Sequence, residues 1–288
     1  MSNEKAKIIV LANQKGGAGK TSAIVNLASA SVFCGKANVC VLDLDPQRSI
    51  SYWQEKLRKE PEKRYDYLFP QVVAIEPNTK PSTVIELLQG SFREIWVDTA
   101  GFLGYNDDVA QQYLEDVLPY ADIIVTPLRS GPFDVTSTEQ TIEYLDDVLS
   151  NIGCDDIPRL LLRSDIRGGD KGLDFLIAQL EPILEQHPKW KCIDSYIPSS
   201  TAFYKAMGRG CNAFVPKKIE RVAEAAITVY KEIQVALGEE SEMEARKLLA
   251  KTIKNLASIR QSATKAKRDD DLKAQDDDLN DQNDDSDE

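Results

Sequence analysis

Short apolar runs alternate with longer segments of three-to-four-residue apolar spacing along most of the chain. Ile8–Ala12, Val39–Asp43, Glu94–Asp98, Ala121–Pro127, Arg159–Leu162 and Cys192–Ile197 are largely continuous apolar stretches, and Gln71–Ile75 is a weaker one. Runs of that length and density are those of strands buried on both faces. Between them, Thr21–Phe33, Ser49–Arg58, Pro81–Leu88, Thr136–Asn151, Gly172–Gln186 and Lys217–Leu237 read as helices. Such alternation, without an internal repeat, predicts an α/β fold: a doubly wound, mostly parallel sheet with helices on both faces. Residues 1–238 are expected to form this domain. A further helix over 239–268, apolar at Leu248, Leu249, Ile253, Leu256 and Ile259, and a disordered acidic tail over 269–288 would follow.

The first strand leads into Lys15-Gly16-Gly17-Ala18-Gly19-Lys20-Thr21-Ser22. Strand, glycine turn and helix make the context of a phosphate-binding loop. Glycines let successive backbone N–H groups turn inward, and the helix N-terminus adds positive potential. Lys20 would then reach the β- and γ-phosphates of a nucleotide such as ATP, and the Thr21 hydroxyl would ligate Mg²⁺. The usual first glycine of the pattern is replaced by Gln14, and Lys15 brings a second cation towards Lys20. A lysine there is costly without an anion.

This Lys-Gly-Gly-x-Gly-Lys-Thr form resembles the deviant Walker A box of the ParA/MinD ATPases. The resemblance covers roughly residues 6–237. The second strand ends in Asp43-Leu44-Asp45-Pro46-Gln47-Arg48, similar to switch I of the short plasmid-partition type, with Arg48 where a glycine is usual. Two carboxylates at a strand's C-terminal edge lie where ligands bind in open α/β sheets. The resemblance gives Asp45 the attacking water and Asp43 an outer role at Mg²⁺. Asp98, closing Glu94–Asp98, matches a Walker B carboxylate, and the Gly101 N–H a γ-phosphate sensor. Pro198 and Ser199 would line the base through their backbone. Many relatives place an Asn against adenine where this chain offers Arg163. Asp134 reads as a cap for the helix that follows, or as part of a loop similar to that of the partition ATPases. Lys15 is implied to act across a face-to-face homodimer formed on ATP.

Composition narrows the rest. The single histidine, His187, excludes multi-histidine zinc sites and serine–histidine triads. Five scattered cysteines read as reduced thiols in a cytoplasmic protein. No apolar run approaches the roughly 20 residues of a membrane span. The net charge of −12 is misleading, because residues 269–288 alone carry −10. Residues 241–268 carry eight Lys or Arg against two Glu. A docked helix with a solvated face, a DNA contact, a partner seam and a membrane surface all remain open for them. The acidic tail disfavours an anionic membrane. Taken with the resemblance, these features imply an ATPase that partitions a cargo through non-specific DNA, nucleoid-associated when ATP-bound. Its DNA contacts would come from Lys205, Arg209, Lys217, Lys218, Arg221, Lys247, Lys251 and Lys254. A ParB-like adaptor would stimulate hydrolysis. A MinD-like membrane ATPase and a metabolic ATP-dependent ligase are the alternatives.

Overall fold

The computed structural model describes residues 5–35, 38–59, 69–101, 108–167, 169–214, 220–241, 243–254 and 256. Its sheet contains β1 (Lys7–Leu11), β2 (Val39–Asp43), β3 (Gln71–Ala74), β4 (Glu94–Asp98), β5 (Ile123–Leu128), β6 (Arg159–Ile166) and β7 (Trp190–Pro198). The spatial order is β3-β2-β4-β1-β5-β6-β7, and every pairing is parallel. The helices are α1 (Lys20–Phe33), α2 (Ser49–Lys59), α3 (Pro81–Leu88), α4 (Asp108–Val117), α5 (Pro132–Asn151), α6 (Gly169–Gln186), α7 (Thr201–Met207) and α8 (Glu220–Ala236).

Right-handed crossovers assign the faces. The chain steps from β1 outward to β3, which places α1 and α2 on one side. It then returns across the sheet to β7, which places α3 to α6 on the other. The packing agrees: α1 touches α2 and α8, α3 touches α4, and α5 touches α6. A sheet covered on both faces requires apolar side chains on both, and every residue of β2, β4 and β5 is buried. The expected doubly wound α/β fold is what the chain forms.

Parallel register brings the strand ends level. Leu11 of β1 and Asp43 of β2 both pair with Asp98 of β4, so the two carboxylates and the start of the glycine turn share one edge. Buried polar groups elsewhere tie α1 and α8 to the sheet. Glu94 accepts from Ser31 Oγ (2.7 Å) and Trp96 Nε1 (3.1 Å) on one oxygen, and from Tyr230 OH (2.8 Å) on the other. Further on, Lys231, almost fully buried, pairs with Glu240 at 2.7 Å.

Several boundaries differ from the sequence reading. The α5 helix begins at Pro132 rather than Thr136, with Gly131 as its N-cap and the proline supplying a helical φ at the first position. The β6 strand runs on to Ile166 through two register shifts. Neither α4 nor α7 was read from the sequence; α7 is capped by Ser200, whose hydroxyl accepts from Phe203 N at 3.2 Å. His187 is not a free surface group, since its Nδ1 lies 2.9 Å from Asp146. Of the five free cysteines, Cys40 is buried and the other four are half-buried. Among the described residues, those up to 245 form one compact unit and those from 246 belong to another. In the second, 246–254 are helical, with Lys247, Lys251 and Lys254 exposed. The expected tail lies outside the described residues.

Tyr230→Phe leaves a Glu94 oxygen without its donor, and a lost bond to a buried carboxylate costs about 1–3 kcal/mol. Urea unfolding should therefore show a loss of that size; an unchanged midpoint would mean water or another donor takes over.

Candidate functional site

The loop between β1 and α1 is held from three sides. Asn13 donates through Nδ2 to Pro127 O (2.9 Å), while its Oδ1 accepts from Lys15 N (2.9 Å). Gln14 donates its amide to Thr141 Oγ1 of α5 (3.1 Å), so the residue replacing the usual glycine is buried and occupied. On the third side Thr99 Oγ1 donates to Leu11 O (2.7 Å). Gly17 and Gly19 take φ of 79° and 92°, a region open to glycine. Gly19 is the N-cap of α1, with no side chain capping the helix and no acidic residue in its first turn. Those first-turn amides therefore face an anion position. Gly101 abuts this loop so closely that a Cβ there would lie 2.7 Å from Gly16 N. Only glycine fits, and Ala18 is buried beneath the same turn.

The two lysines stand in different surroundings. Lys20 is buried, and its Nζ donates to Asn13 O (2.9 Å) and Lys15 O (3.3 Å). Burial lowers its pKa, against the opposing pull of Asp98 and Asp45. Lys15 instead points to α5, where its Nζ meets Asp134 Oδ1 at 2.6 Å with both side chains partly exposed. Asp134 is thus not the helix cap; it sits in the first turn and neutralises the second lysine. The expected cost of Lys15 in the free chain is relieved within the chain itself.

The carboxylates divide in the same way. Asp98 is fully buried; its Oδ2 accepts from Thr21 Oγ1 (3.0 Å), and its Oδ1 has no partner. Burial first, then the neighbouring Asp43, pushes its pKa up to about 7, against Lys20 and the Thr21 hydroxyl. An orphaned buried carboxylate oxygen beside a threonine hydroxyl fits a hard divalent cation, and Thr21 and Asp98 would hold Mg²⁺. Asp43 is also buried, but its oxygens are already engaged, with Asp45 N (3.2 Å) and with Ser51 N and Oγ (3.0 and 2.7 Å). It anchors the turn between β2 and α2. Burial raises its pKa, against the Ser51 bonds. Asp45 accepts from Gln47 N (2.9 Å), and Arg48, in place of glycine, takes a positive φ of 50°.

A recess beside the loop is lined by Gly19, Ser22, Asn26, Ser164, Pro198 and Tyr204 among others. Pro198 lines it, whereas the Ser199 amide is spent on Ile166 O (3.0 Å). Arg163 does not enter the recess. It is buried, and its Nη2 donates to the carbonyls of Ile193 and Asp194 on β7, so it cannot stand in for an adenine-reading Asn. Sequence reasoning missed the next two residues, Ser164 and Asp165, because the register shift that reorients them is invisible in the apolar pattern. Of the basic residues, Lys205, Arg209 and Arg221 are exposed, while Lys217 and Lys218 lie outside the described residues.

Residues 9–213 match the description of the CobQ/CobB/MinD/ParA nucleotide-binding domain. The chain belongs to that family. It is 31% identical over 142 residues to a "Maintenance of carboxysome distribution protein A" of Gloeobacter kilaueensis, covering 49% of this chain and 57% of that protein. Identity to a "Protein ParA" of Rhizobium radiobacter is 28% over 138 residues, or 48% and 55% of the two chains. The chain thus spans little more than half the length of these relatives. The ATP complex of a Cyanothece McdA variant shares the fold with a TM-score of 0.57 at 14% identity, covering 83% of this chain and 98% of that one.

Asp98 offers a test by pH. Its proton is held more tightly in the folded than in the unfolded chain, so its contribution to stability is greatest below about pH 4 and declines as pH rises through 7. Asp98→Asn should then raise the melting temperature of the nucleotide-free protein by several degrees at pH 8, on the order of 2 kcal/mol. The gain should shrink towards pH 4.5. A gain independent of pH would show that the carboxylate is not strained by burial.

Proposed function

We propose that the chain is an ATP-hydrolysing positioning switch of the ParA type, which dimerises on ATP and binds DNA without sequence preference in that state. The observation that carries this reading is the pair of lysines in one loop, one buried beneath its own backbone and the other held at the surface by Asp134. A simple nucleotide-binding loop has use for the first alone.

Phosphoryl transfer to water needs positive charge on the equatorial oxygens and a well-placed water. Lys20 and the first amides of α1 supply the charge from within the chain. Thr21 and Asp98 would hold Mg²⁺, which would supply positive charge beside the phosphates. Asp45, the less buried of the two switch I carboxylates, orients the water. Lys15 leaves Asp134 and reaches a partner's phosphates across the dimer, so ATP acts as the dimerisation switch and hydrolysis resets it. The exposed Lys205, Arg209 and Arg221 provide phosphate contacts to DNA, with Lys217 and Lys218 between them in the sequence; Lys247, Lys251 and Lys254 add to the charge. A ParB-like adaptor would stimulate turnover, and the ATP-bound form would sit on the nucleoid. The cargo is a plasmid or chromosome. A protein assembly is a second reading, favoured by the identity to the carboxysome-distribution relative.

Two variants separate the lysines. Lys20→Ala should abolish ATP binding, whereas Lys15→Ala should bind ATP yet remain monomeric by light scattering. Normal dimerisation of Lys15→Ala would remove its role across the interface.

DNA binding should require ATP and fall steeply with salt as counterions are released. The double reversal Lys205→Glu, Arg209→Glu should weaken it at least tenfold and flatten the slope. Unchanged affinity on random-sequence duplex would place the surface elsewhere.

A further inference from the structure

The turn between β2 and α2 carries Asp45, and one residue of that turn has a backbone conformation unusual for its type. Arg48 takes a φ of 50°. Among the described residues, four besides glycine have a positive φ, and the other three are Asn38, Asn78 and Asp165. Asn and Asp reach the left-handed region at low cost because their short polar side chains bond the nearby backbone, and an arginine lacks that compensation. Such strain persists only where the surroundings enforce it.

The surroundings can be named. Arg48 Nη2 donates to Ile75 O at 3.3 Å and lies 3.8 Å from Glu76 Oε2. Ile75 is a fixed point, since it is buried and its N–H donates to Asp43 O at 3.1 Å, continuing the pairing of β2 with β3. The Glu76 side chain is 76% exposed, so that ion pair adds little and the carbonyl is the anchor. The main chain of Arg48 is engaged as well. Its N–H donates to Asp45 O (2.8 Å), and its carbonyl accepts from Tyr52 N (2.9 Å) in the first turn of α2. Asp45 thus lies between two anchors, because on its other side its own N–H donates to the buried Asp43 at 3.2 Å. Its charge reaches the phosphate edge. Burial lowers the pKa of Lys20 and raises that of Asp98, and Asp45 opposes the first shift and adds to the second.

We propose that Arg48 is a positioning residue, a staple from the turn to the end of β3 that fixes Asp45 for hydrolysis. The assignment rests on the hydrolytic reading above and deepens it. A glycine at this position would relieve the backbone, but it would leave this end of the turn without its bond to the sheet. Restraint of a group that orients water matters because small displacements of a reacting pair are costly in rate. The side chain therefore supplies what the easier backbone could not.

Arg48→Gly in the full chain separates restraint from fold, since it removes the side chain and the strain together. The variant should melt within a few degrees of the unaltered chain. Without nucleotide, the amides of residues 47 and 48 should exchange with solvent about tenfold faster. With Mg²⁺ and ATP, kcat should fall about tenfold while KM changes by less than about twofold. Arg48→Lys, long enough to bond Ile75 O, should recover part of the loss. An arginine that acts through Asp45 adds nothing once that carboxylate is gone, so Arg48→Gly should cost less than about twofold in an Asp45→Ala background, read by single-turnover hydrolysis. A further tenfold loss in that background would make Arg48 a direct contact to the phosphates and overturn the assignment. Unchanged exchange or an unchanged kcat overturns it too, as does a variant that melts far below the unaltered chain, the mark of a merely structural role. In each of those cases the unaltered chain still turns over ATP. If it does not, the hydrolytic reading falls and this assignment with it.

Discussion

A buried ammonium surrounded by carboxylates is the constraint on which the rest of this edge depends. Lys20 has two backbone carbonyls as its hydrogen-bond acceptors, and Asp98 and Asp45 as the nearest negative charges. Burial works against Lys20, Asp98 and Asp43 as ions. It lowers the pKa of Lys20 and raises those of Asp98 and Asp43. Carboxylates thus outnumber the one cation that serves them, and Asp98 keeps an oxygen with nothing to bind. Such an arrangement is poor as a way of holding a fold together. It becomes sensible when a polyanion with a divalent cation enters, since the cation takes the orphaned oxygen and the anion takes the lysine and the helix amides.

The second lysine shows how the chain tolerates the excess. Its charge is carried away from Lys20 to Asp134, on the helix that also receives the Gln14 amide through Thr141. The N-terminal half of α5 is therefore a wall against which the loop is set, and the loop's departures from the ordinary pattern are explained there. Gln14 can replace a glycine because its backbone N–H is spent on that wall. Lys15 can occupy the loop because the wall offers an acid. An ion pair at 2.6 Å with both partners partly exposed is worth little in stability. It can therefore be exchanged for another anion at small cost.

Much of this was legible because it depends on patterns that survive in one dimension. Buried parallel strands read as apolar runs, and a carboxylate that ends such a run must lie at the C-terminal edge. Asp43 and Asp98 could be placed on that edge before their register was known. Arg48 was legible as a departure from glycine, and its positive φ shows the backbone kept the glycine conformation. The failures have a common cause. The apolar pattern starts the helix at Thr136, which makes Asp134 a cap, whereas the actual start at Pro132 puts it in the first turn beside Lys15. Arg163 stands where many relatives place an Asn against adenine, and in a strand that runs on past Leu162 through two register shifts its guanidinium bonds to carbonyls of β7. The short helix α7 depends on a Ser200 cap and on burial of Phe203 and Ala206, signals too brief to stand out in the apolar pattern.

The position of α7 also bears on how the edge could act as a unit. The turn after β2 continues into α2, and α2 is bonded to the chain just beyond α7: Trp53 Nε1 donates to Cys211 O at 3.2 Å and Lys56 Nζ to Gly208 O at 2.9 Å. Asn212 in turn donates to Ser29 Oγ at 2.9 Å, a side chain of α1 that is fully buried. A displacement of α2 must either break its two bonds or carry residues 208–211 with it. Those residues include Arg209, and they are anchored to the helix that begins at Lys20. Rigid elements joined by few, specific bonds move as bodies rather than bending, because close-packed interiors resist continuous deformation. The turn from Asp43 to Ser51 is therefore tied through α2 to the segment that carries the exposed Arg209, by contact and not by distance.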